Sequence, residues 1–400
     1  MARPTASRPL LSPADSGIRV RVASTPAEAE ALRPVWESLR GDALDADLDH
    51  VLAVAAGLPQ AIAPHIVLVE RDGASPLMVM ARLEDHRFVV RAGYRTVADL
   101  GLRTVVVSFD GVLGARSDAD RRLAIRALRR ALDDRTADAV LLQKVDCDGP
   151  IEQAALAAAT PFTRIHGMVR TTHRFAELPD TLDEMLLRRS AGAPKEARFK
   201  DRRLRRRYPD AVRLERIDDA GIERIWSDVE TVAAASYQRT IGVGAERTPL
   251  SDALATLAVE RGWARIWMLY LGDAPVAFWW GTLYRGTLSV DVTAFDRAYA
   301  KDRVGTSVMY AMFDELCRDP SARTIDFGHG DAEYKRDYAT SSVDQRDVVL
   351  LAARPKALAV GALLSLLQGA RTLAYALFGS TSWASRLRDA ARKKGSASGG

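Results

Sequence analysis

The feature that most limits the possible folds is a succession of strand-like and helix-like segments with a similar order in the two halves of the chain. In the first half, apolar β-branched runs at 65–70 and 104–109 precede a helical pattern at 117–134. In the second half, a strand-like run at 287–295 precedes a helical pattern at 304–318. A chain of 400 residues is too long for one compact core. We therefore predict an α/β (α+β) protein of two tandem units with mixed sheets, although the order of elements is the only sign of duplication.

Shifts in composition divide the chain into four regions. Residues 1–17 are predicted to be a disordered leader, 18–175 an N-terminal unit, 176–353 a C-terminal unit, and 354–400 a helix with a basic flexible tail. The leader has no continuous apolar stretch of the kind that directs secretion. The two cysteines lie far apart in sequence, outside any C-x-x-C pair, which fits a reducing compartment. We therefore expect a cytoplasmic protein.

The apolar segment at 357–378 raises the question of a membrane span. Arg371 interrupts the segment, and two glycines and a glutamine dilute it, so it predicts a helix that packs on the protein or on a partner. The alternative is an interfacial helix, because five basic residues follow: Arg386, Arg388, Arg392, Lys393 and Lys394. In that case the tail would make a weak peripheral contact with the inner face of a membrane.

The basic character of the chain is concentrated in one patch. Residues 188–207 contain ten Lys and Arg and two Asp and Glu, a local charge of +8 against +5 for the whole chain. A helix over 195–208 places Arg198 and Arg202 on one face. Three interpretations stay open: a solvated amphipathic helix, a rim that captures anionic substrates or phosphates, and a nucleic-acid surface. The sequence disfavours nucleic acid, because it carries no zinc finger, RNA-recognition signature or interleaved aromatic array.

The first segment with a chemical signature is 288–316, in which a polar loop joins a strand to a helix. Gly305 allows a tight backbone turn at the helix entrance. Free N–H groups in the first helical turn, at the positive end of the helix dipole, suit a pyrophosphate. The predicted anion site consists of Arg303, Val304, Gly305, Thr306 and Ser307. The alternative is an ordinary loop, since many joins between a strand and a helix contain a glycine.

The second such segment is 324–340, in which a short strand ends at a bend around His329. Asp331 is a suitable N-cap for the helix that follows, and Tyr334 and Lys335 fall on one face of its first turn. Ligands of open α/β sheets bind beyond the carboxyl ends of strands, where these residues lie. The alternative is a capped helix with solvated charges.

Together these segments resemble the C-terminal half of the CelD-like GNAT acetyltransferases, which are associated with cellulose and exopolysaccharide biosynthesis. The family's aspartate–aromatic–x–x–Gly–Asp–x–x–Tyr–Lys signature matches Asp326, Gly330, Asp331, Tyr334 and Lys335. The similarity covers about 170–353 and includes the basic helix, whereas the N-terminal half agrees only in element order. The resemblance implies GNAT-like units with partly splayed sheets. Two departures leave the acyl donor open: Ser307 replaces a glycine or alanine, and His329 replaces a larger residue.

The resemblance implies direct transfer from acetyl-CoA or a longer acyl-CoA to an amine or hydroxyl of a sugar or related cell-envelope precursor. Asp331 and His329 are candidates for the general base, and Lys335 and Tyr334 complete the predicted catalytic group. Tyr237 and Gln238, with the arginines of the basic helix, are expected to contact the acceptor. No H-E-x-x-H or C-x-x-C motif is present, so we predict no metal. A catalytically silent binding module and a Fem-type aminoacyl transferase stay open as alternatives.

Overall fold

The computed structural model describes residues 17–92, 95–236, 244–330 and 332–378, in which thirteen strands form one mixed sheet with helices on both faces. The strands are β1 (Ile18–Ala23), β2 (Ala61–Pro64), β3 (Ile66–Arg71), β4 (Ala74–Ala92), β5 (Arg95–Leu113), β6 (Ala139–Asp146), β7 (Thr171–Glu177), β8 (Val212–Arg216), β9 (Ala264–Leu271), β10 (Ala274–Tyr284), β11 (Thr287–Phe295), β12 (Thr324–His329) and β13 (Ser341–Leu351). The helices are α1 (Pro26–Glu30), α2 (Arg33–Leu39), α3 (Leu48–Gly57), α4 (Asp118–Asp133), α5 (Pro150–Ala157), α6 (Leu182–Leu187), α7 (Ala193–Arg207), α8 (Ile222–Ala234), α9 (Pro249–Glu260), α10 (Val304–Arg318), α11 (Glu333–Tyr338) and α12 (Pro355–Phe378). Short 3-10 helices cover Leu44–Ala46, Pro161–Thr163 and Arg297–Asp302.

The strand order shows that the two halves are built alike. Along the sheet the order is β1-β3-β4-β5-β6-β13-β7-β12-β11-β10-β9-β8, and β2 pairs with β4 outside this path. Within the described residues, β5 with β6 and β11 with β12 are the parallel pairs, and the other neighbours are antiparallel. Each parallel pair is joined by one helix, α4 in the first half and α10 in the second. The equivalent pairs lie on opposite sides of the sheet's centre.

The last strand of each half pairs with the opposite half. β7 ends the first half but lies beside β12, and β13 ends the second half but lies beside β6. β7 and β13 also pair with each other and so join the halves into one sheet. The boundary predicted between residues 175 and 176 falls inside β7.

The sheet buries both faces in each half because alternate side chains of a strand point to opposite faces. In β3, Val67 and Val69 pack with α4, whereas Ile66 and Leu68 pack on the opposite face with α2 and α3. In the second half, one face of β9 packs under α6, α7 and α10, and the other packs under α8. The strands that meet at the centre are therefore fixed by cores on both sides.

The last helix, α12, packs on the N-terminal half. Ala357 and Leu364 are buried in its core, and a Cβ atom at Gly361 would lie 2.2 Å from Leu351. The prediction of an apolar helix here is confirmed, although the helix begins at Pro355. In the described part of the chain, no helix has the length and apolar character needed to cross a membrane. The basic residues at 386–394 lie outside the described residues.

Candidate active site

The first element of the site is the separation of two parallel strands. β11 and β12 share only three residue pairs, the last of which joins Ser289 to Asp326. Beyond Ser289 no described strand pairs with that edge of β11, so the backbone N–H and C=O groups there are free for a ligand. A bulge in the pairing with β10, between Trp280 and Gly281, makes Asp291 an extra residue on β11. The Thr282 hydroxyl donates a hydrogen bond to its carboxylate at 2.7 Å.

The second element is the N-terminus of α10, which begins just after β11. Arg303 is the N-cap, and its carbonyl accepts hydrogen bonds from the N–H groups of Thr306 and Ser307. No described residue accepts from the N–H groups of Val304 or Gly305. The first turn carries no acidic side chain. All five residues predicted from the sequence therefore surround one helix N-terminus. The unpaired N–H groups at this helix start are the donors that an anion site requires.

The structural role of Gly305 differs from the predicted role. The tight turn is made by Arg303, which adopts the left-handed conformation with φ of 58°. A Cβ atom at Gly305 would lie 3.1 Å from the ring of Phe295, so glycine allows close contact with the end of β11. The indole N–H of Trp279 donates to the Gly305 carbonyl at 3.3 Å. The glycine thus holds the helix start against the separated strands.

The predicted basic residues lie beside this helix start. A cleft of about 370 Å³ between α6, α7 and α10 is lined by Arg198 and Arg202 together with Thr306 and Ser307. Arg198 is exposed and pairs with Asp183 at 2.9 Å. The structure therefore places two predicted groups of residues side by side, although they lie about one hundred residues apart in sequence. This arrangement supports a rim for phosphate groups better than an isolated solvated face.

The third element is a hydrogen-bonded network across the junction of the halves. His173 of β7 contacts Asp326 of β12 through Nε2 at 2.5 Å and Gln345 of β13 through Nδ1 at 3.1 Å. The same Gln345 oxygen lies 2.8 Å from Nε2 of His329, and its amide donates to Asp146 of β6. Burial disfavours the charged form of His173, but its hydrogen bonds to Asp326 and Gln345, together with the nearby negative charges, outweigh burial and raise the pKa. Burial lowers the pKa of His329.

Two further carboxyl groups near this junction have raised pKa values. Burial among protein atoms raises the pKa of Asp291 to about 7, helped by the negative charges of Asp45 and Asp326 and opposed by the bond from Thr282. Asp291 is nevertheless exposed to solvent, so it lies on the floor of an open cleft. Burial and the charges of Asp326 and Asp110 also raise the pKa of Asp45 to about 7. A carboxyl group with a pKa near 7 can accept a proton at physiological pH.

Lys335 lies at the bend rather than in open solvent. Its ammonium group is buried and donates a hydrogen bond to the His329 carbonyl at 2.8 Å. Burial lowers its pKa. The helix begins at Glu333 with Ala332 as its N-cap, so the predicted cap at Asp331 is wrong, and Asp331 lies outside the described residues. The lysine thus fixes the bend that carries His329.

Tyr334 packs in the core on the α10 side of the sheet. Its ring makes edge contacts with Trp279 at 5.3 Å and with Phe327 at 5.8 Å. Burial raises its pKa to about 12. Tyr237 and Gln238, the predicted acceptor contacts, lie outside the described residues.

Several residues of the junction were missed from the sequence. Asp291 is a lone acid inside the apolar run LSVDVTAF, and that break in an apolar strand was the available signal. His173 and Gln345 belong to strands whose exchange between the halves places them beside Asp326. No local pattern reveals that exchange. Within the described ranges, no group of three or more His, Cys, Asp or Glu side chains is arranged to hold a metal ion.

Comparison with known proteins places the similarity in the second half. Residues 191–336 match the family described as acetyltransferase (GNAT) domain. This region is similar to GNAT acetyltransferases. The match covers the basic helix, the separated strands and the start of α10, while the more specific likeness to CelD-like proteins stays a prediction. No curated protein matches the sequence.

Solved structures share the fold over nearly the whole chain. The crystal structure of FemX superposes with a TM-score of 0.59 at 11% identity, covering 86% of this chain and all of FemX. A tandem GNAT protein from the clavulanic acid biosynthesis pathway covers 84% of this chain and 99% of its own, at 14% identity and a TM-score of 0.47. The predicted fold, two tandem GNAT-like units in mixed sheets with a C-terminal helix, is confirmed.

Proposed function

We propose that this protein is an acyl-CoA-dependent acyltransferase with one donor site, formed by the start of α10 and the separated strands β11 and β12. The observation that carries this proposal is the position of unpaired N–H groups at Val304 and Gly305 beside the free edge of β11. The helix N-terminus suits the pyrophosphate of CoA, and the arginine rim of α7 suits its other phosphate. The free edge of β11 suits the amide groups of the pantetheine arm.

The reaction that fits this geometry is direct transfer. The acceptor nitrogen or oxygen attacks the thioester carbonyl carbon, a bond to that carbon forms, and the carbon–sulfur bond breaks. A free backbone N–H on β11 stabilises the negative charge on the carbonyl oxygen, an effect typically of about 3 kcal/mol. Asp291 takes the proton of the acceptor, and the departing sulfur is protonated to give free CoA. His329, Tyr334 and Asp331 keep the roles predicted from the resemblance as further candidates for proton transfer.

The identity of donor and acceptor is part of the proposal. Acetyl-CoA is the proposed donor, and an amino group of a cell-envelope precursor is the acceptor implied by the CelD resemblance. The proposed location is the cytoplasm, with the tail in weak contact with the inner membrane face. An aminoacyl transferase of the Fem type is the second candidate, favoured by the exposed arginines of α7 beside the donor cleft.

The test uses a pair of matched variants at the second helical position of α10 and of its counterpart α4. Gly305→Val presses on Phe295 and covers the helix start, so we expect acetyl-CoA binding at least about 10-fold weaker by calorimetry. Ala119→Val in α4 should leave binding unchanged. Release of free CoA thiol with an amine acceptor should fall in parallel. A folded wild type that binds no acyl-CoA would support the silent module instead, and binding of aminoacylated RNA in its place would support the second candidate.

A further inference from the structure

A second cavity lies on the opposite face of the sheet from α10, between the two halves. It has a volume of about 180 Å³ and is lined by α8, α9, β10 and β11 of the second half. The first half contributes Leu44 and His50 to its wall. Asp291 lines the same cavity, so the cavity reaches the point where β11 and β12 separate. A molecule bound here would present its reactive end to the proposed donor site.

The walls of this cavity are mostly aromatic and apolar. Trp226, Trp263 and Trp280 all line it, and the rings of Trp226 and Trp280 are tilted against each other at 5.1 Å. The apolar part of the lining comes mainly from α9. Trp226 and Trp280 are 3% and 5% exposed, so their positions are fixed by the core around them. Rigid aromatic walls bind flat or branched apolar groups and also attract cations.

Few polar groups line the cavity where the structure describes it, and the only charge among them at pH 7 is negative. Burial, with the nearby positive charge of Arg82, lowers the pKa of His50 to about 4, so this imidazole is neutral at pH 7. Thr282 and Ser251 are hydroxyl groups, and Thr282 already donates to Asp291. Asp291 is therefore the one ionisable acid among the described lining residues. A carboxylate at the end of an aromatic cavity favours a cationic group.

The size of the cavity limits what it holds. A dry cavity of about 150 Å³ accommodates one benzene molecule, and this one is only slightly larger. It therefore has room for one ring or a short branched alkyl group. A sugar placed among these walls would lose hydrogen bonds from most of its hydroxyl groups.

We propose that this cavity is the acceptor site and takes a primary amine attached to a small aromatic or apolar group. The ammonium group pairs with Asp291, and the apolar body lies among Trp226, Trp263 and Trp280. This inference rests on the proposed function for its reaction but not for its binding. It narrows the acceptor from any amine or hydroxyl to a hydrophobic amine and gives the first half a direct role in acceptor choice.

The test compares three probes by calorimetry at pH 8: 2-phenylethylamine, 2-phenylethanol and glucosamine. The alcohol keeps the apolar body without the charge, and glucosamine keeps the amine on a polar body. We expect 2-phenylethylamine to bind at least about 10-fold more tightly than either, because only this probe makes both the charge-assisted hydrogen bond and the apolar contact. Asp291→Asn should bring the amine and the alcohol to equal affinity. Asp99→Asn, a change of an exposed acid on β5, is the matched control and should alter neither.

A second variant tests the cavity itself. Ala255 is buried in its wall, and Ala255→Phe should fill the space and weaken the amine and the alcohol alike, with unfolding checked by the melting temperature. Equal binding of all three probes, tighter binding of glucosamine, or amine binding that Asp291→Asn leaves unchanged would overturn the inference. Acetyl-CoA binding, measured on the same samples, separates the two proposals. If acetyl-CoA binds and the amine preference is absent, the acceptor inference fails and the donor site stands.

Discussion

The helices that join the strands of the two parallel pairs begin in opposite ways. In the first half, Ser117 caps α4, and the Asp120 carboxylate accepts from the backbone N–H groups of Ser117 and Arg116. Burial works against its ionisation, but bonds from Arg71 and Ser117 hold the pKa of Asp120 at about 2. In the second half, α10 has no side-chain cap, no acid in its first turn and unpaired N–H groups.

Under the proposed function, one fold serves stability in one half and ligand binding in the other. An ionised carboxylate at the start of α4 satisfies the helix dipole but repels a phosphate group. The open start of α10 gives up that stabilisation, which for a single cap is about 1 kcal/mol. The N-terminal half keeps a cleft of about 290 Å³ where β5 and β6 separate, but its helix is closed to anions. The comparison therefore supports our proposal of a single acyl-donor site in the C-terminal half.

The largest expected effect contrasts carboxylates of the two halves. Asp291→Asn should lower turnover by about 100-fold or more if Asp291 is the base, because the amide keeps the bond from Thr282 but accepts no proton. Asp110→Asn, a carboxyl group with a raised pKa at the equivalent end of β5, should lower it by less than about 10-fold. Initial rates of thiol release measure both. Similar losses in both variants would remove the distinction between the halves.

The pH dependence of the reaction rate also tests whether Asp291 is the base. Because the folded pKa of Asp291 is about 7, the wild-type rate should rise as pH increases through 7, as the base ionises. The Asn variant should lack this step. The pKa is raised above the ordinary value of 3.8, so the stability contributed by the protonated carboxyl group is lost as pH rises from about 3.8 to about 7. The melting temperature of Asp291→Asn at pH 8 should therefore equal or exceed that of the wild type, and a clear decrease would contradict the assignment.

The smallest expected effect lies in the first half. Ser117→Ala removes the cap of α4 and should lower the free energy of unfolding by about 1 kcal/mol, measured by chemical denaturation. The apparent KM for acetyl-CoA should not change, because this helix start holds its own carboxylate rather than a ligand. A rise in KM without a change in the kcat of the folded protein would show that the first half takes part in donor binding.

Local sequence patterns predicted the helices and strands whose residue types match their burial in the structure. The helix at 304–318 was predicted with the observed limits, because its apolar spacing is regular and a charged loop precedes it. The 19-residue strand β5 was predicted only over 104–109, because charged residues interrupt the apolar pattern towards its hairpin with β4. There, cross-strand ion pairs such as Arg87 with Asp99 lie on the exposed face, opposite the face on which Phe88 and Val90 are buried.

The candidate site also has one part that local sequence predicts and one part that it does not. The anion site at 303–307 depends on one helix start, so its residues were found from adjacent sequence. The junction depends on β7 and β13 changing places, which brings His173 within 2.5 Å of Asp326 although they are 153 residues apart. Such contacts follow from strand order, which a single sequence does not reveal. Asp291 was not predicted as a site residue, because a polar residue in a strand is usually interpreted as lying on the solvent-exposed face of the sheet.

The most direct test of a single donor site is the stoichiometry of acetyl-CoA binding by isothermal titration calorimetry, with one variant that makes α10 resemble α4. Thr306 occupies the third helical position of α10, as Asp120 does in α4. We predict one acetyl-CoA per wild-type chain, and binding at least about 10-fold weaker in Thr306→Asp. The melting temperature should not fall, since an acid in the first turn favours the helix. Two molecules bound per chain, or one whose affinity Thr306→Asp leaves unchanged, would contradict the account.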